Sequence, residues 1–142
     1  MTIYERDFYA WTQIQATLLR EQQFTQLDLD HLIEEIESMG RSERRQLLSR
    51  LEILLMHLLK WQHQSELRGR SWELTIVEQR RRIAKLLSAN PSLHNQLPDL
   101  LPEAYDDATF GAMRETGLPQ ATFPALCPWT MEEVLGDGWL PG

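Results

Sequence analysis

Apolar residues recur along most of this chain at three- and four-residue steps, and nowhere do they alternate strictly over strand length. That is the periodicity of helices that bury one face. Tyr4, Phe8, Trp11, Ile14 and Leu18 predict a first helix from about Glu5 to Glu21. Leu29, Leu32, Ile33, Ile36 and Met39 predict a second, with Asp28 as N-cap and Gly40 as C-cap. Leu47, Leu51, Leu54, Leu58 and Trp61 step by four and three through a third, from about Ser42 to Gln64. Leu48, Leu55 and Leu59 widen its stripe beyond a two-stranded seam, so this helix belongs at the centre, touching more than one neighbour. A glycine is unfavourable inside a helix but not forbidden, so the second and third helices can equally be one helix kinked at Gly40.

Gly69 interrupts the pattern. Ser71 can then cap a fourth helix over about 72–89, burying Trp72, Ile76, Gln79, Ile83, Leu86 and Leu87. Asn90-Pro91 stops it; Pro91 can open a short helix that ends before Pro98. A fifth main helix follows from about Pro102 to Thr116, closed by Gly117. Residues 118–129 are proline-rich and extended, and Thr130-x-x-Glu133 has the spacing of a capping box for a short helix over 130–135. Phe123, Trp129 and Trp139 are large apolar anchors on this otherwise loop-like segment. The expected fold is all-α: a bundle of about five main helices over 1–117, with an irregular tail over 118–142 packed on it, in a single domain of 142 residues.

Length and composition sharpen this picture. A chain of this size buries about 68–70% of its unfolded surface, so it needs neither disulfide nor metal to fold. The single cysteine, Cys127, cannot form an internal disulfide, which suits a reducing compartment. The charged N-terminal residues do not read as a signal peptide, and no apolar run reaches the roughly 20 residues of a membrane span. The expected location is the cytoplasm. The net charge of −7 is segregated: residues 1–40 carry two basic and eight acidic side chains, residues 41–85 eleven and five, residues 86–142 one and eight. Such asymmetry can mark an anionic partner, or acidic flanks that fold back on a basic middle.

Five segments taken in order resemble a known family. They are "YERDFYAWTQIQATLLR", "LDLDHLIEEIESMGRSERRQLLSRL", "LLMHLLKWQHQ", "SWELTIVEQRRRIAKLL" and "FPALCPWTMEEVL". The chain is similar along essentially its whole length to domain of unknown function 29, a family of small all-helical bacterial proteins. The resemblance implies a helical bundle and a bacterial source, and no activity. Ser65 stands where the family often has proline, and the tail ends in "GDGWLPG" rather than an acidic-aromatic run.

Three constellations carry potential chemistry. Arg50, His57 and Gln64 share a heptad position beside Trp61, which predicts a polar cleft on the edge of the third helix, with His57 as a usable base or ligand and Lys60 further out. His31 and Glu34, three residues apart, place two potential metal ligands on one helix face, and with His57 they could form a metal-binding or metal-dependent catalytic cluster. Arg80, Arg81 and Arg82, with Arg41, Arg44, Arg45, Arg68 and Arg70, could bind nucleic acid if they shared one surface, but three consecutive helical residues fan through about 200°. Cys127 precedes a proline and reads as a small buried apolar residue. No phosphate-binding loop, dinucleotide fingerprint or nucleophile elbow is present, and no residue set requires an enzyme or a cofactor. The function itself is not written in the sequence. The leading expectation is a non-catalytic accessory module that works through a protein partner, its tail releasing to expose a groove; metal-dependent and arginine-mediated nucleic-acid-binding readings stand behind it.

Overall fold

The computed structural model describes residues 1–142 and contains six α-helices and no strand. They are α1 (Ile3–Arg6), α2 (Phe8–Arg20), α3 (Leu29–His63), α4 (Arg70–Ala89), α5 (Leu97–Thr116) and α6 (Met131–Leu135). The all-α expectation holds. Contacts within the chain divide it into two compact units, Met1–Ser42 and Glu43–Gly142.

In the first unit, the helix expected over Glu5–Glu21 is broken at Asp7. The Asp7 backbone N–H closes α1 on the Ile3 carbonyl, while its carboxylate accepts from the Ala10 amide and caps α2. A short acidic side chain that competes for backbone amides outweighs the continuous apolar spacing across this point. α2 buries Trp11 and Gln15, and both reach Asp28: the indole N–H donates to its carboxylate at 2.9 Å, and Gln15 Oε1 accepts from its backbone amide at 2.9 Å. Asp28 does sit where α3 begins, its carbonyl accepting from the Leu32 amide. Its carboxylate, however, is spent on Trp11 and His31.

Helix α3 resolves the question of Gly40. It runs 35 residues without interruption. A mid-helix glycine costs only about 1 kcal/mol relative to alanine, and the helical pattern continues on both sides of it.

In the second unit, the later half of α3 is the central element. Leu47, Leu51, Leu54, Leu55, Leu58 and Leu59 are all fully buried. Around them pack Ile76, Ile83 and Leu87 of α4, and Leu100, Ala104, Tyr105, Ala108 and Ala112 of α5. The small residues of α5 let it approach closely: a Cβ built on Gly111 would lie 2.7 Å from Met56 Sδ. Two boundaries differ from expectation. α4 starts at Arg70 with Gly69 at the N-cap, so Ser71 lies inside the helix and caps nothing. α5 starts at Leu97 and passes through Pro102, because Pro98 falls in the first turn, where its missing amide costs nothing, and Pro102 one turn later removes a single bond. Residues 91–96 form a 3₁₀ turn leading directly into it.

The tail is docked as expected. Phe123, Trp129 and Val134 are buried members of the core, and Trp139 meets Trp129 edge-on at 5.8 Å. Tyr105 donates its hydroxyl to the Pro124 carbonyl at 2.7 Å. The Thr130/Glu133 capping box is complete at the head of α6. At its other end, the buried Arg80 guanidinium donates to the Val134 carbonyl at 2.9 Å and to the Glu133 carbonyl at 3.4 Å.

Candidate interaction surface

The polar cleft expected from Arg50, His57, Trp61 and Gln64 does not assemble. His57 is half-buried, and because a carbonyl can only accept, its Nδ1 donates to the Ile53 carbonyl at 2.9 Å, four residues back on the same helix. Burial, and then the neighbouring Lys60, hold its pKa below the usual histidine value. Arg50 lines a separate shallow cleft of about 270 Å³ between α3 and α4, with Glu43, Arg82, Lys85 and Asn90. Trp61 is covered by Arg68, whose charge lies 5.2 Å from the ring centre, and Arg68 also donates to the Trp61 carbonyl at 2.6 Å and the Gly142 carbonyl at 2.8 Å. Gln64 follows the last residue of α3. A shared heptad position put these residues on one line, but seven residues of rise, about 10 Å, separate successive members.

Lys60 is the residue that the sequence misplaced. It is only 8% exposed, its Nζ is 3.2 Å from Glu115 Oε1 of α5, and it lies 4.8 Å from the ring centre of Trp72 of α4. One ammonium therefore ties three helices. Its position among Leu58, Leu59 and Trp61 was the available signal, since a lysine stem can lie along apolar surface and leave only its head to be satisfied.

The metal cluster is also corrected. His31 belongs to the first unit and His57 to the second, 26 positions further along the chain. No group of three or more His, Cys, Asp or Glu side chains converges as metal ligands anywhere in the chain. His31 instead belongs to an aromatic-polar plug in the first unit. Its Nδ1 lies 2.7 Å from Asp28 Oδ2, and its ring stacks on Tyr4 at 3.8 Å between centres. Tyr4 packs edge-on against Trp11 and donates its hydroxyl to Glu35. The bonds from His31 and Trp11 hold the Asp28 carboxyl below its usual range; the same Asp28 contact raises the His31 pKa. Hydrogen bonding to Glu35 pushes Tyr4 up to about 12. Glu34 stays exposed and makes no side-chain hydrogen bond, acting on His31 and Tyr4 only through its charge. The plug combines residues from three segments, and no local spacing announces it.

The arginine triplet fans out as helix geometry requires: Arg80 is buried under the tail, while Arg81 and Arg82 are exposed, with Arg82 paired to Glu78 at 2.8 Å. Only three ion pairs form in the whole chain, and Arg41, Arg45, Arg50, Arg70, Arg81 and Lys85 enter none. Ion pairing therefore does not neutralise the basic segment as the charge pattern anticipated. Cys127 is half-buried, and burial raises its thiol pKa.

What the first half of α3 presents is an uncovered apolar seam. Leu29, Ile33, Ile36 and Met39 are 57%, 52%, 62% and 62% exposed. Only Leu32, His31 and Glu35 on the adjoining side are half-buried. At 100° per residue, Leu29, Ile33, Ile36 and Gly40 fall within about 60° of arc. A Cβ added at Gly40 would meet nothing within 4 Å. Contiguous exposed apolar residues of this kind mark interaction sites, whereas scattered ones do not.

Fold and surface together define a small all-helical module in which part of the apolar face of α3 is open to solvent. The chain belongs to the family described as Domain of unknown function DUF29, whose model matches residues 3–140 of its 142. No curated protein and no solved structure matches it. No helix is long and apolar enough to cross a membrane.

Proposed function

We propose that the chain is a non-catalytic accessory module of the bacterial cytoplasm that acts by binding a protein through the open seam of α3. The observation that carries this reading is the row Leu29, Ile33, Ile36 and Met39, each more than half exposed on one stretch of α3. Burying such side chains removes apolar area from water at about 25 cal/mol per Å², a standing gain that any complementary helix face can collect. The bacterial setting comes from the family resemblance, and the single unpaired cysteine accords with a reducing compartment.

The test is site-specific photo-crosslinking in cells of the source organism. A photoreactive residue at Ile36 should give a discrete protein adduct, while one at the exposed Glu103 of α5 should not. Equal labelling at both positions, or none at Ile36, would refute the assignment of this face.

A further inference from the structure

We infer that the occupant of the open α3 seam is the same seam of a second copy of this chain, running antiparallel. This rests on the reading that the face binds a protein, and it names that protein from the charge pattern of one helix edge. At 100° per residue, Asp30, Glu37, Arg41 and Arg44 lie about 50–110° to one side of the seam, which is where the flanking positions of a paired helix sit. The edge is acidic in its N-terminal part and basic in its C-terminal part.

Such an edge is complementary to itself in one orientation. In an antiparallel pair, an edge faces its own counterpart reversed, so the Asp30–Glu37 stretch of each copy lies opposite the Arg41–Arg44 stretch of the other. In a parallel pair the same edge faces the opposite flank of its partner, where Leu32 and Gln46 carry no charge and the one carboxylate, Glu43, already accepts from Asn90 at 3.3 Å. These charges are free for the purpose. Asp30, Glu37 and Arg41 make no side-chain hydrogen bond or ion pair in the chain, and Arg44 makes one hydrogen bond, through Nε to Gln96 at 3.3 Å.

Gly40 adds an independent indication. It stands on the seam itself, in mid-helix, where glycine is unfavourable and nothing in the chain approaches it. A missing side chain at that point lets another backbone come close. An antiparallel pair related by a two-fold axis is also closed: each copy uses the same patch, so assembly stops at the dimer.

The experiment uses the full chain in analytical ultracentrifugation across micromolar to millimolar concentration, with circular dichroism confirming that each variant is folded. The wild type should sediment as a dimer. Ile36→Glu, at a side chain 62% exposed and so not needed by the fold, should raise the dimer dissociation constant at least 100-fold. Two charge variants give the decisive arm. Asp30→Arg with Glu37→Arg makes the edge all basic, and Arg41→Glu with Arg44→Glu makes it all acidic. Each alone should be monomeric, and an equimolar mixture should form the heterodimer. A wild-type dimer that survives Ile36→Glu, or charge variants that fail to rescue one another, would overturn the antiparallel pair. A monomeric wild type would overturn it too; the adduct at Ile36 then separates the two readings, since a different protein caught there leaves the binding face standing and no adduct removes both.

Discussion

Val134 offers the most direct test of whether the tail is part of the core. It is fully buried on α6, whereas Leu126, eight residues earlier in the same tail, is 80% exposed. Val134→Ala deletes two methyl groups from a packed site. Each buried methyl or methylene removed costs about 0.5–1.5 kcal/mol, from lost transfer energy and the space left behind. Alanine's better helix propensity returns a few tenths of a kcal/mol. The expected loss is about 2 kcal/mol, or roughly 6 °C in Tm for a chain of this length. Leu126→Ala should stay within about 0.5 kcal/mol of wild type, as exposed substitutions do. Urea titrations followed by circular dichroism and tryptophan fluorescence measure both. If Val134→Ala is as silent as Leu126→Ala, the tail is not held by burial, and the opposite idea, a tail that readily releases, gains the ground.

Three further outcomes follow from the described contacts. Replacing Arg80 by lysine keeps a charge but loses the guanidinium fork, so the amides of residues 134–136 should exchange faster while those of Leu54 and Leu58 do not; unchanged exchange would mean that the Val134 carbonyl does not depend on Arg80. By NMR, the His31 ring should titrate above the ordinary 6.5 and the His57 and His63 rings below it. The stability from His31 is then fully present below pH 6.5 and lost as pH rises through its folded value, while the depressed Asp28 contributes above its ordinary 3.8 and loses that contribution as pH falls through its folded value. A His31 midpoint below 6.5 would break the Asp28 assignment. Cys127 should react with iodoacetamide at pH 7.5 more slowly than a free thiol, since its raised pKa and partial burial both reduce available thiolate; a rate equal to that of free cysteine would show the tail open at that point.

The parts of the fold legible in the sequence are those carried by spacing within one element. The seam from Leu47 to Leu58, the left-handed Gly117 that closes α5 and the Thr130/Glu133 box could all be read locally, because each depends on residues within a few positions. Competition between local signals was harder. At Asp7 a carboxylate won against an unbroken apolar pattern, and at Gly40 an unbroken helix won against a stop signal. Gly69, not Ser71, caps α4, because the turn before it places the chain in extended backbone two residues earlier than hydroxyl capping required. Least legible were contacts between segments far apart in the chain. Lys60 reaching Glu115 and Trp72, Arg80 reaching the tail, and the Tyr4–His31–Asp28–Trp11 plug depend on which helices become neighbours. The open seam lay in plain view as a row of apolar residues. Spacing identifies such a row but does not say whether anything covers it.

Helix α6 carries a consequence for the order in which the protein forms. Five residues are far too few for a helix to persist alone, since nucleation costs more than so short a run returns. Its head can be closed by Thr130 and Glu133 at once. Its foot waits for Arg80, more than fifty positions earlier and itself positioned only when α4 has packed. The tail therefore condenses after the body and depends on it, a late step whose rate should follow the assembly of α3, α4 and α5 rather than anything written in residues 131–135.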